Sequence, residues 1–190
     1  HVSSRRQRQM CIRDSTSKKF VHHFHIPLQS GSDSILRLMR RRYDSKLYKS
    51  KIEKINKLMP DACIGVDVIV GFPGENDDLF LESLNFLDSL NVSYFHVFTY
   101  SERDNTHAIL LPNIVEHNVR TKRSKLLRLL SSKKKSSFYE RNKGSIQDVL
   151  FESEEKNGYV EGFSSNYIRF RRPWDPSIIL SLIHIAVPTR

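Results

Sequence analysis

The chain of 190 residues is predicted to be an α/β protein: parallel strands crossed by helices, then a long basic helix and a small β-rich unit. Three observations predict this. CIGVDVIV at 63–70 is an almost continuous apolar run, suited to a strand buried on both faces. The segments on either side of it carry apolar residues at helical spacing. After residue 144 the pattern changes to short stretches separated by turn residues.

The elements follow in order. FVHHFHIPLQSGS, 20–32, reads as a short strand running into a polar loop that contains glycine. Asp33 is the expected N-cap of a helix over SILRLMRR. Tyr48, Ile52, Ile55 and Met59 fall at i, i+4, i+7 and i+11 and predict a second helix from about 44 to 59, stopped by Pro60. After the 63–70 strand, Asp77 and Asp78 suit a helix start, and Phe80, Leu84 and Leu87 give that helix one buried face. YFHVFTYS, 94–101, is the next strand. Strand and helix in alternation imply parallel strands with crossover helices. A polar loop then leads to a helix over about 116–142, with Val119, Leu126, Leu127 and Leu130 as its expected buried stripe. Beyond Gly144 come IQDVLFES, a turn at Lys156-Asn157-Gly158, YVEGFSS, and NYIRFRR ending at Pro173.

Composition is that of a globular protein, with 38% hydrophobic and 27% charged residues. No apolar run approaches the roughly 18 residues of a membrane span, and no signal-peptide pattern opens the chain. Cys11 and Cys63 lie far apart and form no metal-type cluster, so a reducing cytoplasm is expected. The ends, HVSSRRQRQMCIRDS and SLIHIAVPTR, resemble translated sequencing-adapter read-through. Residues 1–15 and 181–190 are accordingly expected to be non-native tails; a basic arm and a last strand are the alternatives. The formal charge of +10 points to a polyanionic partner. Setting aside Arg5, Arg6, Arg8, Arg13, Arg190 and Asp14 leaves +6, so the basic character belongs to the interior.

In parallel α/β arrays, ligands bind at the carboxyl ends of strands. Three loops occupy that edge: Gln29-Ser30-Gly31-Ser32, Gly71-Phe72-Pro73-Gly74-Glu75, and Tyr100-Ser101-Glu102-Arg103. Each alone reads as an ordinary turn; together they suit a polar, nucleoside-sized ligand. Asp67 is either a structural acid satisfied by a histidine, lysine or backbone N–H, or a group facing the ligand. An unpartnered buried carboxylate is too costly to stand alone. His22, His23 and His25 suggest a metal cluster, but strand neighbours point to opposite faces and no carboxylate or cysteine completes the set, so no metal site is expected. No nucleophile triad, phosphate loop or dinucleotide fingerprint occurs, and no catalytic residue is expected in this chain.

The long helix holds the clearest charge feature. Arg120, Lys122, Arg123, Lys125, Arg128, Lys133, Lys134, Lys135, Arg141 and Lys143 face only Glu116 and Glu140, a net +8 that suits contact with a phosphate backbone. Asn166, Tyr167, Arg169, Phe170, Arg171, Arg172 and Trp174 interleave aromatics with arginines, which suits stacking on unpaired RNA bases.

At HFHIPLQSGSD, DVIVGFPGE and YSERDNTHA the chain resembles the radical S-adenosylmethionine methylthiotransferases, over about residues 20–178. HFHIPLQSGSDSILRLMRRRY and LMPDACIGVDVIVGFPGEN are most similar to the branch acting on N6-threonylcarbamoyladenosine in tRNA. The isopentenyladenosine branch usually has proline-glycine where Asp104-Asn105 stands, and the ribosomal-protein branch departs at the Gln-Ser-Gly-Ser loop.

The resemblance implies the C-terminal half of a partial TIM-type radical SAM barrel over 16–115, a basic linker helix over 116–143, and a truncated small β-barrel (TRAM) RNA-binding domain over 144–180. It implies methylthiolation of C2 of the modified adenosine next to the anticodon, with S-adenosylmethionine and two 4Fe-4S clusters in the full-length parent. Gln29, Ser30, Ser32, Asp67, Gly71, Pro73, Gly74 and Glu75 would bind the cofactor, and Tyr100, Ser101 and Arg103 the substrate. Arg120, Lys122, Arg123, Lys125, Arg128, Lys133, Lys134, Lys135, Arg169, Arg171, Arg172 and Trp174 would grip the tRNA anticodon stem-loop. The sulfur donor stays open, and neither DNA nor a membrane is an expected partner. The family's Cys-x3-Cys-x2-Cys motif and three further cysteines are not in this sequence, so the chain by itself is expected to be inactive. The competing expectations are an RNA-binding fragment without chemistry, the isopentenyladenosine branch, and a metal hydrolase using the histidines.

Overall fold

The computed structural model describes residues 20–188. The expectation for the tail at 1–15, with Cys11, lies outside these residues. The described residues divide into two compact units, one made of His25–Lys57 and Ile64–Ser136, the other of residues 20–24, Leu58–Cys63 and residues 137–188.

A sheet of three strands has the order β1-β2-β3, with β1 His23–His25, β2 Cys63–Val70 and β3 Tyr94–Thr99, and all but His23, Phe24 and Cys63 of it belongs to the first unit. β2 and β3 run parallel, from Gly65 opposite Tyr94 to Val70 opposite Thr99. Past β1 the parallel pairing continues through Ile26 N–H to the Gly65 carbonyl, Gln29 N–H to Asp67, and Ile69 N–H to Gln29. The helices are α1 (Asp33–Leu38), α2 (Ser45–Leu58), α3 (Asp77–Ser89) and α4 (His117–Asn142), with a 3₁₀ turn at His107–Leu110. This is the predicted α/β arrangement of parallel strands with crossover helices.

Ile64, Val66, Val68 and Val70 are each at most 1% exposed, so one face of β2 is core. Tyr48, Ile52 and Ile55 of α2 and Phe80 and Leu87 of α3 are buried as well. Each such aliphatic side chain contributes about 1.5–3 kcal/mol by leaving water. The opposite face carries Gly65, Asp67 and Ile69 on β2 and the exposed His96 and Phe98 on β3. That face positions the site.

Two helices depart from expectation. Asp33 is the first residue of α1 and not its cap; its carboxylate accepts at 2.7 Å from the N–H of Ser45, the first residue of α2, which Asp44 Oδ1 caps through the Leu47 N–H. An aspartate ahead of two nearby helices fits either role, and spacing alone does not separate them. On α4 the buried face holds Arg120, Arg123, Ser124 and Leu127, while Leu126 is 49% exposed. The expected leucine stripe is therefore rotated, because the helix meets polar groups that need donors. Ser131 Oγ accepts from the Phe95 N–H at 2.8 Å and donates to the Phe95 carbonyl at 2.9 Å, covering the outer edge of β3. Lys134 Nζ donates to the carbonyls of Asp88 and Leu90, at the end of α3.

The second unit is an antiparallel sheet in the order β6-β5-β4-β7: β4 Ile146–Lys156, β5 Tyr159–Ser164, β6 Arg169–Pro173 and β7 Leu182–Ala186. Asn157 (φ 54) and Gly158 (φ 78) both take positive φ, the two-residue turn that matches strand twist in a hairpin. Val149, Phe151 and Val160 are fully buried, and a bulge between Phe151 and Glu155 curls β4. Asn166, also fully buried, accepts from Ser164 Oγ and donates to the Asp61 carbonyl and Asn142 Oδ1. Within the 181–190 segment, Leu182–Ala186 pairs with Ile146–Leu150.

Candidate functional site

The three predicted loops leave neighbouring strand ends. Ile69 N–H reaches the Gln29 carbonyl at 2.8 Å, and Tyr100 N–H reaches the Val70 carbonyl at 2.9 Å. Their polar groups, however, are largely engaged within the protein. Gly31 N–H donates to Ser83 Oγ at 2.9 Å, Ser32 N–H to Ser30 Oγ at 3.2 Å, and Ser32 Oγ to Glu82 Oε2 at 2.7 Å. Gly71 N–H donates to Glu75 Oε1 at 3.0 Å, and Gly74 N–H to the Asn113 carbonyl at 2.9 Å.

Glu75 is 4% exposed, and its Oε1 lies 2.7 Å from Arg123 Nη1. Burial pushes its carboxyl up, while the Gly71 N–H and the Arg123 guanidinium pull it back. Gly71 takes φ +76, and a Cβ there would lie 2.3 Å from Arg120 Cγ. That glycine makes room for an arginine. Arg120 donates in turn to the carbonyls of Val115 and Tyr100 and to Glu102 Oε1. Ser30, Ser32, Gly71, Pro73, Gly74 and Glu75 thus form the frame of the loops. Gln29 and Asp67 keep partly exposed side chains.

Asp67, the carboxylate within the apolar strand β2, has a histidine beside it. Its Oδ1 lies 2.7 Å from His25 Nε2. The contact is close but lacks hydrogen-bond alignment, so this buried oxygen has no hydrogen-bond donor among the described residues. The His25 ring stacks on His96 at 5.2 Å, and one donor atom from each of His25, Asp67 and His96 lies within 4.8 Å of the others. A carboxylate with two imidazoles can hold a divalent cation or pass a proton. The histidine run does not form the cluster its sequence suggests: His22 pairs with Asp61 at 3.0 Å and His23 stacks on Tyr167 at 4.1 Å. The trio was missed because His96 belongs to a distant segment and shares a face with Asp67 only through the β2–β3 register.

Beside that face lies a cavity of about 550 Å³. Phe72, Phe98 and Tyr100 form its aromatic walls, and Arg40, Arg41 and Arg103 bring charge to it. Of the residues expected to meet substrate, Tyr100, Ser101 and Arg103 all line it; none of the eight cofactor residues does. The Tyr100 hydroxyl is buried without a hydrogen-bond partner among the described residues. Sequence reading missed Arg40, Arg41 and His107, which the turn after α1 and the 3₁₀ turn bring to the cavity.

The proposed RNA face is narrower than its charge suggests. Arg120 and Arg123 are buried, and Lys134 holds the end of α3. Lys122, Lys125, Arg128, Lys133, Lys135 and Arg141 remain exposed on α4. On β6, Arg169 is bonded to Glu161, Arg171 lies 4.0 Å over the Tyr159 ring and Arg172 is exposed, while Trp174 is partly exposed. Phe170 is core, and Tyr167 already stacks on Phe163 at 4.8 Å.

Residues 13–87 match the radical SAM superfamily. Beyond that match, the chain is 39% identical to the threonylcarbamoyladenosine tRNA methylthiotransferase MtaB of Bacillus subtilis, over 80% of this chain and 35% of the relative. It is 38% identical to the protein of that name from Aquifex aeolicus, over 83% of this chain and 37% of the relative. It is 36% identical to the tRNA-2-methylthio-N(6)-dimethylallyladenosine synthase of Vesicomyosocius okutanii, over 89% of this chain and 38% of the relative. The chain therefore spans just over a third of the length of these relatives. The radical SAM match covers β1, β2, α1 and α2 and most of α3, the part of the fold that carries Asp67 and the glycine loop.

Proposed function

We propose that this chain is the C-terminal part of a radical SAM tRNA methylthiotransferase. In this reading the cavity at the strand ends receives the modified adenosine next to the anticodon, and α4 and β6 grip the tRNA backbone. One observation carries it: an aromatic-walled cavity of nucleoside size, with an unpartnered Tyr100 hydroxyl, opens at the carboxyl edge of a parallel sheet.

The cofactors divide by fit. Asp67 has an orphaned oxygen on the inner face and Gln29 a partly exposed amide, which suits them to the polar end of S-adenosylmethionine. When bound, that sulfonium supplies the radical and the methyl group of the family's chemistry. Asp67 would hold and orient it, with His25 Nε2 lying 2.7 Å from the carboxylate. Iron–sulfur clusters require several thiolates, and the sequence has two cysteines, of which the described one, Cys63, is buried in β2. The residues present do not fit a cluster, and no step through one is assigned to this chain. Alone, it would bind RNA without turnover.

The test is fluorescence anisotropy with a labelled anticodon stem-loop. Phe98→Ala and Tyr100→Ala should each weaken binding about tenfold, the scale of one lost base–aromatic stack. Undiminished binding by both would remove the nucleoside from the cavity.

A further inference from the structure

We infer that the cavity selects a nucleoside by the carboxylate on its N6 substituent, read by Arg40, Arg41 and Arg103. The inference rests on the cavity being the nucleoside site and names what that site discriminates.

All three arginines line the cavity, and among the described residues no aspartate or glutamate does. None of the three has an ion-pair partner among the described residues, although elsewhere in the same unit Arg120 pairs with Glu102 and Arg123 with Glu75 and Asp77. Positive charge therefore stands uncompensated beside the aromatic walls. The backbone holds two of these arginines in place. α1 ends with Arg41 N–H closing on the Leu36 carbonyl and Arg40 at φ 56, a left-handed conformation usually left to glycine. A side chain at such a position is a standing cost, and it sets the direction in which the two arginines leave the turn.

The chemistry that satisfies this wall is a planar anion. A guanidinium offers two parallel N–H groups at the spacing of a carboxylate. A threonylcarbamoyl group ends in a free carboxylate, whereas a dimethylallyl group is hydrocarbon. Seating the hydrocarbon would desolvate cations without replacing their water, so the wall rejects it as well as attracting the acid. The named relatives divide along this line: one group carries threonylcarbamoyladenosine in its name, the other dimethylallyladenosine. A phosphate would also satisfy the arginines, so the test uses nucleosides that carry none.

The experiment is calorimetric titration of the full chain with N6-threonylcarbamoyladenosine, its neutral methyl ester, N6-dimethylallyladenosine and adenosine. The free acid should bind at least about tenfold tighter than its ester, the difference typical of one charge-assisted hydrogen bond. Arg103→Gln and Arg41→Gln, checked for folding by circular dichroism, should shrink that gap below about threefold. Equal binding of acid and ester, with adenosine still bound, overturns the carboxylate reading and leaves the nucleoside site standing. No binding of any of the four overturns both. The comparison of acid with ester needs no variant, so a misfolded substitution does not rescue the proposal.

Discussion

Arg123 and Glu75 form a 2.7 Å ion pair in which neither side chain is more than 6% exposed. The pair fastens α4 to the glycine loop after β2. Arg123 extends the contact to the Glu75 carbonyl and to Asp77, at the first turn of α3. Arg123→Ala would leave a carboxylate buried and unpaired and should cost about 3–5 kcal/mol in urea unfolding. Glu75→Gln with Arg123→Met should recover most of that, because no buried charge remains. If the single variant costs under about 1 kcal/mol, the loop is not held this way.

The same carboxyl predicts a pH effect. Burial raises the folded-state pKa of Glu75 above its unfolded value, so the folded state binds the proton more readily. Its contribution to stability is then greatest below the ordinary glutamate range and is lost as pH rises through the raised folded value. Glu75→Gln should remove this component. Subtracting its pH–stability curve from that of the parent should leave a difference that falls with rising pH; a flat difference would contradict the assignment.

Ser131 satisfies both backbone groups of Phe95 with a single hydroxyl. Ser131→Ala should cost about 1–3 kcal/mol, the penalty for leaving those groups unbonded. Hydrogen exchange offers a local readout: the Phe95 amide should lose protection before the amides of β2 do. Unchanged protection would mean that the edge of β3 is covered by something other than α4.

Basic residues on α4 should separate into two classes. Reversing Lys122, Lys125, Arg128 and Lys133 to glutamate should weaken tRNA binding and reduce the salt slope by about 0.7–0.9 for each phosphate no longer neutralised. Lys134→Glu should lower thermal stability, because its ammonium donates to the carbonyls that close α3. Gel shifts across a salt series, paired with thermal melts, read both. Affinity that ignores the four-residue reversal would remove α4 from the RNA interface.

β2 and its parallel neighbours were legible because a run such as Ile64-Gly65-Val66 tolerates no other burial. The hairpin at Asn157-Gly158 was legible because few residue pairs take two positive φ values. The buried face of α4 was not. Arg120 and Arg123 look like surface charge in any hydropathy pattern, yet they lie inside because loop carbonyls and Glu75 await donors there. The cavity was only half legible: Tyr100, Ser101 and Arg103 follow a strand end, whereas Arg40 and Arg41 join them only through the turn that ends α1. Asp67 was legible only as an acid needing a partner: His25 Nε2 stands 2.7 Å from its Oδ1, a neighbour that the β1–β2 pairing supplies.

The most direct test of the nucleoside site is a heteronuclear NMR titration of the full chain with N6-threonylcarbamoyladenosine. The amides of Phe98, Tyr100, Arg103 and Ala108 should shift together and saturate with one binding constant. Shifts confined to the antiparallel unit, around Tyr159 and Trp174, with the cavity amides unmoved, would contradict it.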